Sequence, residues 1–282
     1  NSSTTASEIQ SKSDRSNHCF FHNLPSSIQR IVKGLYYLVI DSKYYLLREK
    51  GTMIPPPSNS GMANYLEIGK EFFNYFIDYG GLKKSDRVLD IGCATGRMAL
   101  PLTSFLSKEG SYIGFDLQQK QIDWAKKNIT TKFPNFEFHK VDVVNPIYSD
   151  EGEKAEGFIF PYEDSSFDFI FLTSVFTHML PEDVEHYLSE IQRVLKIGGR
   201  CFSTFFLINN ESKDLLKNGF STIDFQYPVG ECLTDNLDAP EEAIAYKEEI
   251  VRAMLKSKNL EIIEPIKFGS WCGREEYLSY QD

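Results

Sequence analysis

The run Val88-Leu-Asp-Ile-Gly-Cys-Ala-Thr-Gly-Arg97 concentrates small side chains where a ligand could meet the backbone. Val88, Leu89 and Ile91 surround Asp90. Gly92, Cys93, Ala94 and Gly96 follow, and then the helical-looking Met98-Ala-Leu-Pro-Leu-Thr-Ser-Phe105. This reads as a buried strand, a tight turn and a helix start. Glycine permits positive φ and close approach to the main chain, and a helix start offers unpaired N–H groups to a carboxylate or phosphate. A second candidate for chemistry is His178, in Val175-Phe-Thr-His-Met179. A neutral imidazole can take a proton from a hydroxyl at pH 7. The same stretch also suits a packing or helix-start histidine. His186 reads as a surface residue on the following helix.

The turn does not fit the dinucleotide pattern Gly-x-Gly-x-x-Gly, because Ala94 and Arg97 stand where its second and third glycines would be. Its spacing, Asp-x-Gly-x-Ala-x-Gly, resembles the first motif of class I S-adenosylmethionine-dependent methyltransferases of the small-molecule type. Ala94 replaces the usual central glycine and still leaves room for the methionine part of the cofactor. The resemblance is firm over about 84–206 and implies S-adenosyl-L-methionine as cofactor, held by Asp90, Gly92, Cys93, Ala94 and Gly96. Asp116 ends Gly114-Phe-Asp-Leu117, where a carboxylate can accept both hydroxyls of a ribose; Leu117 can pack on an adenine face. The carboxyl end of a strand is where open α/β sheets bind ligands. The resemblance further implies that Asp142 takes the adenine amino group and that the Val143 N–H contacts the ring. Thr173 and Ser174, ending Phe167-Asp-Phe-Ile-Phe-Leu-Thr-Ser174, would face the methionine tail. His178 would stand within reach of the methyl acceptor.

From Lys84 onward strand and helix patterns alternate, which predicts a doubly wound, mainly parallel sheet of Rossmann-like type. Strands are expected at 87–91, 112–116, 137–141, 167–173, 200–206 and 260–266, and helices at 98–107, 120–129, 181–195 and 240–257. Stretches near 146–161 and 209–238 interrupt the alternation and read as loops, the kind of insertion that often forms lids. Upstream, residues 1–18 are Ser/Thr/Asn-rich and read as a flexible tail, and 19–82 as an N-terminal helical cap. After a helix entry at Leu24-Pro-Ser-Ser27, helical spacing runs from Ile28 to Val39, continues after Asp41-Ser42, and recurs from Ala63 to Tyr79. The Tyr and Phe of this cap suit a core, or a substrate wall with Tyr65 as one candidate. Trp271 and Arg274, in a glycine-containing loop, suit a substrate rim in which Arg grips a carboxylate, or simple loop packing. Leu278-Ser-Tyr-Gln-Asp282 starts another strand and stops, as if the natural end were missing.

The 282 residues can bury one large core, and the net charge of −10 argues against nucleic acid as substrate. Five irregularly spaced cysteines, Cys19, Cys93, Cys201, Cys232 and Cys272, fit neither a disulfide framework nor a zinc site and point to a reduced, cytoplasmic setting. No stretch reaches the length of a membrane span, and no metal-ligand cluster stands out. The expected activity is methyl transfer to a small-molecule or peptide-like natural product, most readily at oxygen. Transfer to nitrogen, an NAD(P)-dependent oxidoreductase and a non-catalytic cofactor-binding module are the alternatives. Oligomeric state is left open.

Overall fold

The computed structural model describes residues 26–48, 51–60, 64–149 and 152–282. The predicted tail at 1–18 lies outside these residues. Five parallel strands form the central sheet: β1 (Arg87–Ile91), β2 (Ser111–Asp116), β3 (Phe136–Lys140), β6 (Phe167–Leu172) and β7 (Leu195–Ser203). Between β3 and β6 lies a short ladder of β4 (Val143–Val144) and β5 (Glu153–Lys154). The central order is β3-β2-β1-β6-β7. The chain therefore reverses its direction of travel at β1, and crevices open at such a switch point beyond the carboxyl ends of the strands.

Two cores cover the two faces, and strand alternation sorts side chains between them. Val88, Tyr112, Phe169 and Phe171 join one core; Leu89, Ile91, Ile170 and Leu172 join the other. Against the first face packs α3 (Tyr65–Asp78), preceded by α1 (Ser26–Leu47) and α2 (Pro57–Ser60). Phe76 of α3 stacks on Phe171 with ring centroids 4.4 Å apart. Gly69 lets the same helix lie on the turn, because a Cβ there would come within 2.7 Å of the Arg97 carbonyl oxygen. The short α4 (Ala99–Leu102) and α5 (Gln119–Ala125) follow β1 and β2, and α6 (Pro181–Val194) covers the second face. Asp41 of α1 accepts from Ser58 N–H at 3.0 Å, and Tyr44 donates to the Ile54 carbonyl. Leu35, Leu38, Val39, Leu46 and Leu47 of α1 remain exposed.

Several expected elements take another form. Helical spacing before and after Asp41-Ser42 belongs to one continuous helix, α1. The helix after the turn is α-helical only over Ala99–Leu102, and the one expected at 120–129 becomes a π-helical turn at Lys126–Thr130. β7 starts at Leu195, directly after α6, and Gly198 takes φ 78° within it. The 209–238 stretch is built, not loose. It carries α7 (Asn210–Lys217), closed at its start by reciprocal Asn209 and Ser212 bonds, and strands β9 (Tyr227–Val229) and β10 (Cys232–Thr234). The helix expected at 240–257 splits into a 3₁₀ turn at Pro240–Glu242, strand β11 (Ile244–Lys247) and α8 (Glu248–Ser257). With β8 (Leu207–Ile208), these strands form a second sheet in the order β8-β11-β10-β9, over a core that includes Phe206, Phe225, Ala245 and Trp271. The strand expected at 260–266 is irregular. Pro265 supplies no N–H to a ladder, and Ile263 is exposed. Among the described residues no helix is long and apolar enough to cross a membrane.

Candidate active site

A cavity of about 490 Å³ opens at the carboxyl ends of β1, β2 and β6, within the range typical of small-molecule sites. Gly92 and Ala94 line it after β1, Asp116 and Leu117 after β2, Val143 to Asn145 from β4 onward, and Thr173, Ser174, Val175 and His178 after β6. Ile68 and Phe72 of α3 form one wall, and Ser279 to Gln281 another.

The turn is shaped by conformation and anchored by one carboxylate. Gly92 and Gly96 sit at φ 77° and 81°, and Ala94, which has a Cβ, at φ 47°. Asp116 Oδ2 accepts from Ala94 N–H at 2.8 Å, and its Oδ1 accepts from Gln118 N–H at 2.9 Å. The end of β2 is thus clamped to the turn after β1. Burial pushes the Asp116 carboxyl up from its ordinary value, against the pull of those N–H groups. Beyond its backbone N–H partners, the carboxylate keeps acceptor capacity for a ligand hydroxyl.

On the opposite side, His178 ends a 3₁₀ turn, Phe176–His178. Its Nδ1 lies 2.9 Å from the Glu241 carbonyl oxygen. A carbonyl only accepts, so the proton belongs on Nδ1 and Nε2 carries the lone pair in the neutral ring. Burial lowers the His178 pKa, partly offset by the Glu241 and Glu242 backbone. Asn145 Nδ2 donates to the His178 carbonyl at 3.2 Å, and Tyr148 meets the imidazole edge-on at 5.8 Å. Tyr246 of β11 donates to the neighbouring Met179 carbonyl. The second sheet therefore backs the histidine from outside the central fold.

Gly92, Ala94, Asp116, Leu117, Val143, Thr173, Ser174 and His178 share the cavity. The other candidates fall elsewhere. Asp90 is buried behind the turn and accepts from Tyr112 OH at 2.5 Å; burial pushes its carboxyl up to about 8. Cys93 faces β2, in space kept open by the missing side chain of Gly114. Gly96 packs under Ile129 and Phe138. Asp142 is exposed and paired with Lys140, not turned to the cavity wall. Tyr65 is buried, its hydroxyl 3.1 Å from Thr95 Oγ1, while Ile68 and Phe72 of the same helix form the wall. Trp271 is fully buried and donates to Asp282 at 2.6 Å. Arg274 is buried between Glu211 at 2.8 Å and Asp282 at 2.7 Å. Both are interior struts of the second sheet, not a substrate rim. Arg97, Gln118, Asn145, Tyr148 and Gln281 line the cavity without having been singled out by sequence. Arg97 closes the turn motif, which was a usable signal; Gln281 carries none.

The lining fits a nucleoside with a polar tail. A carboxylate with free lone pairs stands beside Leu117, with buried Val143 also in the wall, and the turn lets a ligand approach Gly92. Among the described residues no group of three or more His, Cys, Asp or Glu is placed to hold a metal ion.

Comparison with known proteins agrees with this geometry. Residues 89–203 match a family described as a methyltransferase domain. The 27-O-demethylrifamycin SV methyltransferase of Amycolatopsis mediterranei is 30% identical over 127 residues, 45% of this chain and 41% of that protein. The demethylmenaquinone methyltransferase of Lactobacillus johnsonii is 29% identical over 150 residues, 51% of this chain and 54% of that protein. The chain thus spans about half the length of these curated relatives. In fold it is similar to the solved structure of the cyclase SpnF, with a TM-score of 0.50 and 19% identity over 73% of this chain and 62% of that one. Residues 89–203 therefore form a methyltransferase domain, whose cofactor is S-adenosylmethionine.

Proposed function

We propose that this chain methylates a small or peptide-like molecule at oxygen. The observation that carries the reading is the meeting of Asp116, the Gly92 turn and His178 in one cavity. Bound S-adenosylmethionine would supply a methyl group activated on a positively charged sulfur, the carbon–sulfur electron pair returning to sulfur to leave a neutral thioether. Asp116 accepts the ribose hydroxyls, Leu117 and Val143 enclose the adenine, and the turn with Thr173 and Ser174 takes the amino-acid tail. Ile68, Phe72 and Tyr148 exclude water and hold the acceptor in line; such alignment contributes roughly 7–11 kcal/mol in favourable cases. His178 takes the acceptor's hydroxyl proton at Nε2 as the new bond forms, while its Nδ1–H stays on the Glu241 carbonyl.

The names of both relatives include small-molecule substrates, which supports this substrate class. The acidic net charge disfavours a nucleic-acid substrate. Calorimetric titration with S-adenosylhomocysteine and, separately, NADH tests the cofactor. Heat from the first and none from the second is expected, and the reverse result sinks the proposal. A mass-spectrometric screen with S-adenosylmethionine then identifies which hydroxyl-bearing metabolite gains a methyl group, and a screen yielding only N-methylated products overturns the oxygen assignment.

A further inference from the structure

A closed set of hydrogen bonds ties three distant segments together at the cavity. Ser174 N–H donates to Thr204 Oγ1 at 2.8 Å. Thr204 Oγ1 donates to Gln281 Oε1 at 2.7 Å. Gln281 Nε2 donates back to Ser174 Oγ at 2.9 Å. Donors and acceptors can be counted around this ring. The Thr204 proton goes to Gln281. The Ser174 oxygen accepts from the amide, so its own proton is not spent there. Thr177 Oγ1 lies 3.5 Å from it, beyond the range of an ordinary O–H···O bond. Ser174 is exposed and lines the cavity. Its φ of 60° is a left-handed conformation that persists only where the surroundings impose it.

Gln281 is itself held firmly. The next residue, Asp282, exchanges backbone bonds of 3.0 and 2.9 Å with Phe205, and its carboxylate accepts from Trp271 and Arg274. We propose that Gln281 is a positioning residue: by engaging Ser174 Oγ it turns the Ser174 hydroxyl into a donor toward a carboxylate or carbonyl oxygen bound in the cavity. Two ligands offer that chemistry, the amino-acid tail of the cofactor and the methyl acceptor. The inference rests on the cofactor reading above.

The test titrates S-adenosylhomocysteine and methylthioadenosine into the wild type, Gln281→Glu and Ser174→Ala. Methylthioadenosine has the same nucleoside and a thioether but no amino-acid tail. Gln281→Glu keeps the size and the acceptor for Thr204 but removes the N–H, so the Ser174 hydroxyl must donate to the new carboxylate. Ser174→Ala removes the donor without adding charge. If the partner is the cofactor tail, both variants bind S-adenosylhomocysteine about tenfold or more weakly, as for a lost bond to a charged group, and methylthioadenosine as the wild type does. If it is the acceptor, both nucleosides bind unchanged and KM for the methyl acceptor rises at constant kcat. Equal weakening of both nucleosides, or no change in binding or KM, overturns the proposal. A wild type that binds neither nucleoside overturns the cofactor reading, and this inference with it.

Discussion

The cavity has two unlike halves. The turn half draws on a short span of sequence, 92–118, and is held mainly by main-chain groups: left-handed residues at Gly92, Ala94 and Gly96, and the Asp116 clamp on the Ala94 and Gln118 N–H groups. The opposite half joins Ser174, His178, Thr204, Glu241 and Gln281 through bonds that span as many as 107 residues of chain. A half built on backbone conformation tolerates few substitutions, but those that fold keep its shape. A half built on side chains from remote segments can lose its chemistry to one atom while the fold stands. Changes to the first half should therefore register mainly as lost stability, with cofactor affinity at Asp116, and changes to the second as altered ligand binding, rate or pH dependence while the fold stands.

The largest expected effect lies in the second half. His178→Asn keeps a donor for the Glu241 carbonyl and removes the Nε2 lone pair, so kcat should fall by ~10²–10⁴-fold, the usual contribution of a positioned base, with S-adenosylhomocysteine affinity unchanged. Because burial lowers the His178 pKa, the ring is neutral at pH 7, and the acid limb of kcat/KM in the wild type should lie below pH 6.5. The unfolded chain binds a proton there that the folded chain resists. Stability should accordingly rise with pH through that window, and the variant should lose this slope. An unchanged rate and profile would reduce His178 to a packing residue and erase the contrast between the halves.

Next in size is Gly96→Ala. Its Cβ would lie 2.7 Å from Ile129 Cδ1 and 3.1 Å from the Phe138 ring, at φ 81°. Left-handed strain and overpacking together should cost about 2–4 kcal/mol in urea unfolding. A loss of rate without loss of stability would contradict the division drawn above.

What sequence could reveal follows the same division. The turn, β1, β2 and β6 were legible because buried parallel strands read as apolar runs and positive φ selects glycine, and β3 because Phe136 and Phe138 alternate with polar residues. Asp116 was legible because a carboxylate at that strand end borders the ligand crevice of an open sheet. The second sheet was not. Its strands are two to four residues long, and the buried Ile244-Ala-Tyr run passes into α8 with no breaker. Arg274 looked like a rim residue because nothing in its own loop discloses the Asp282 carboxylate that neutralises it. Asp142 follows β3 as its motif implied, but its side chain pairs with Lys140. No spacing rule links residues 174, 204 and 281, so Gln281 was invisible until folding brought them together.

Asp116→Ala strikes the point where the turn half is both scaffold and binder. It strands the Ala94 and Gln118 N–H groups and removes the acceptor proposed for the ribose. Cofactor affinity should fall by about 1–3 kcal/mol, and stability by a similar amount, the usual range for a lost charged partner. Unchanged affinity with reduced stability would leave Asp116 as a clamp only.

Ala94→Gly should have the smallest effect and is the most direct probe of strain in the turn. At φ 47° the Ala94 Cβ sits in a region that costs an L-residue roughly 1–2 kcal/mol. Glycine removes that cost but enlarges the conformational freedom of the unfolded chain, which takes back about 0.4–1 kcal/mol. The net change in urea unfolding should be a stabilisation of about 0–1.6 kcal/mol, the difference of the same two terms. Ala94→Val, which adds branching at the same φ, should move stability the other way. If glycine instead destabilises by more than about 1 kcal/mol, a loss beyond the backbone-entropy term, then the Ala94 methyl is held by packing that outweighs its strain, and the turn half depends on side-chain contact as much as the half across the cavity does.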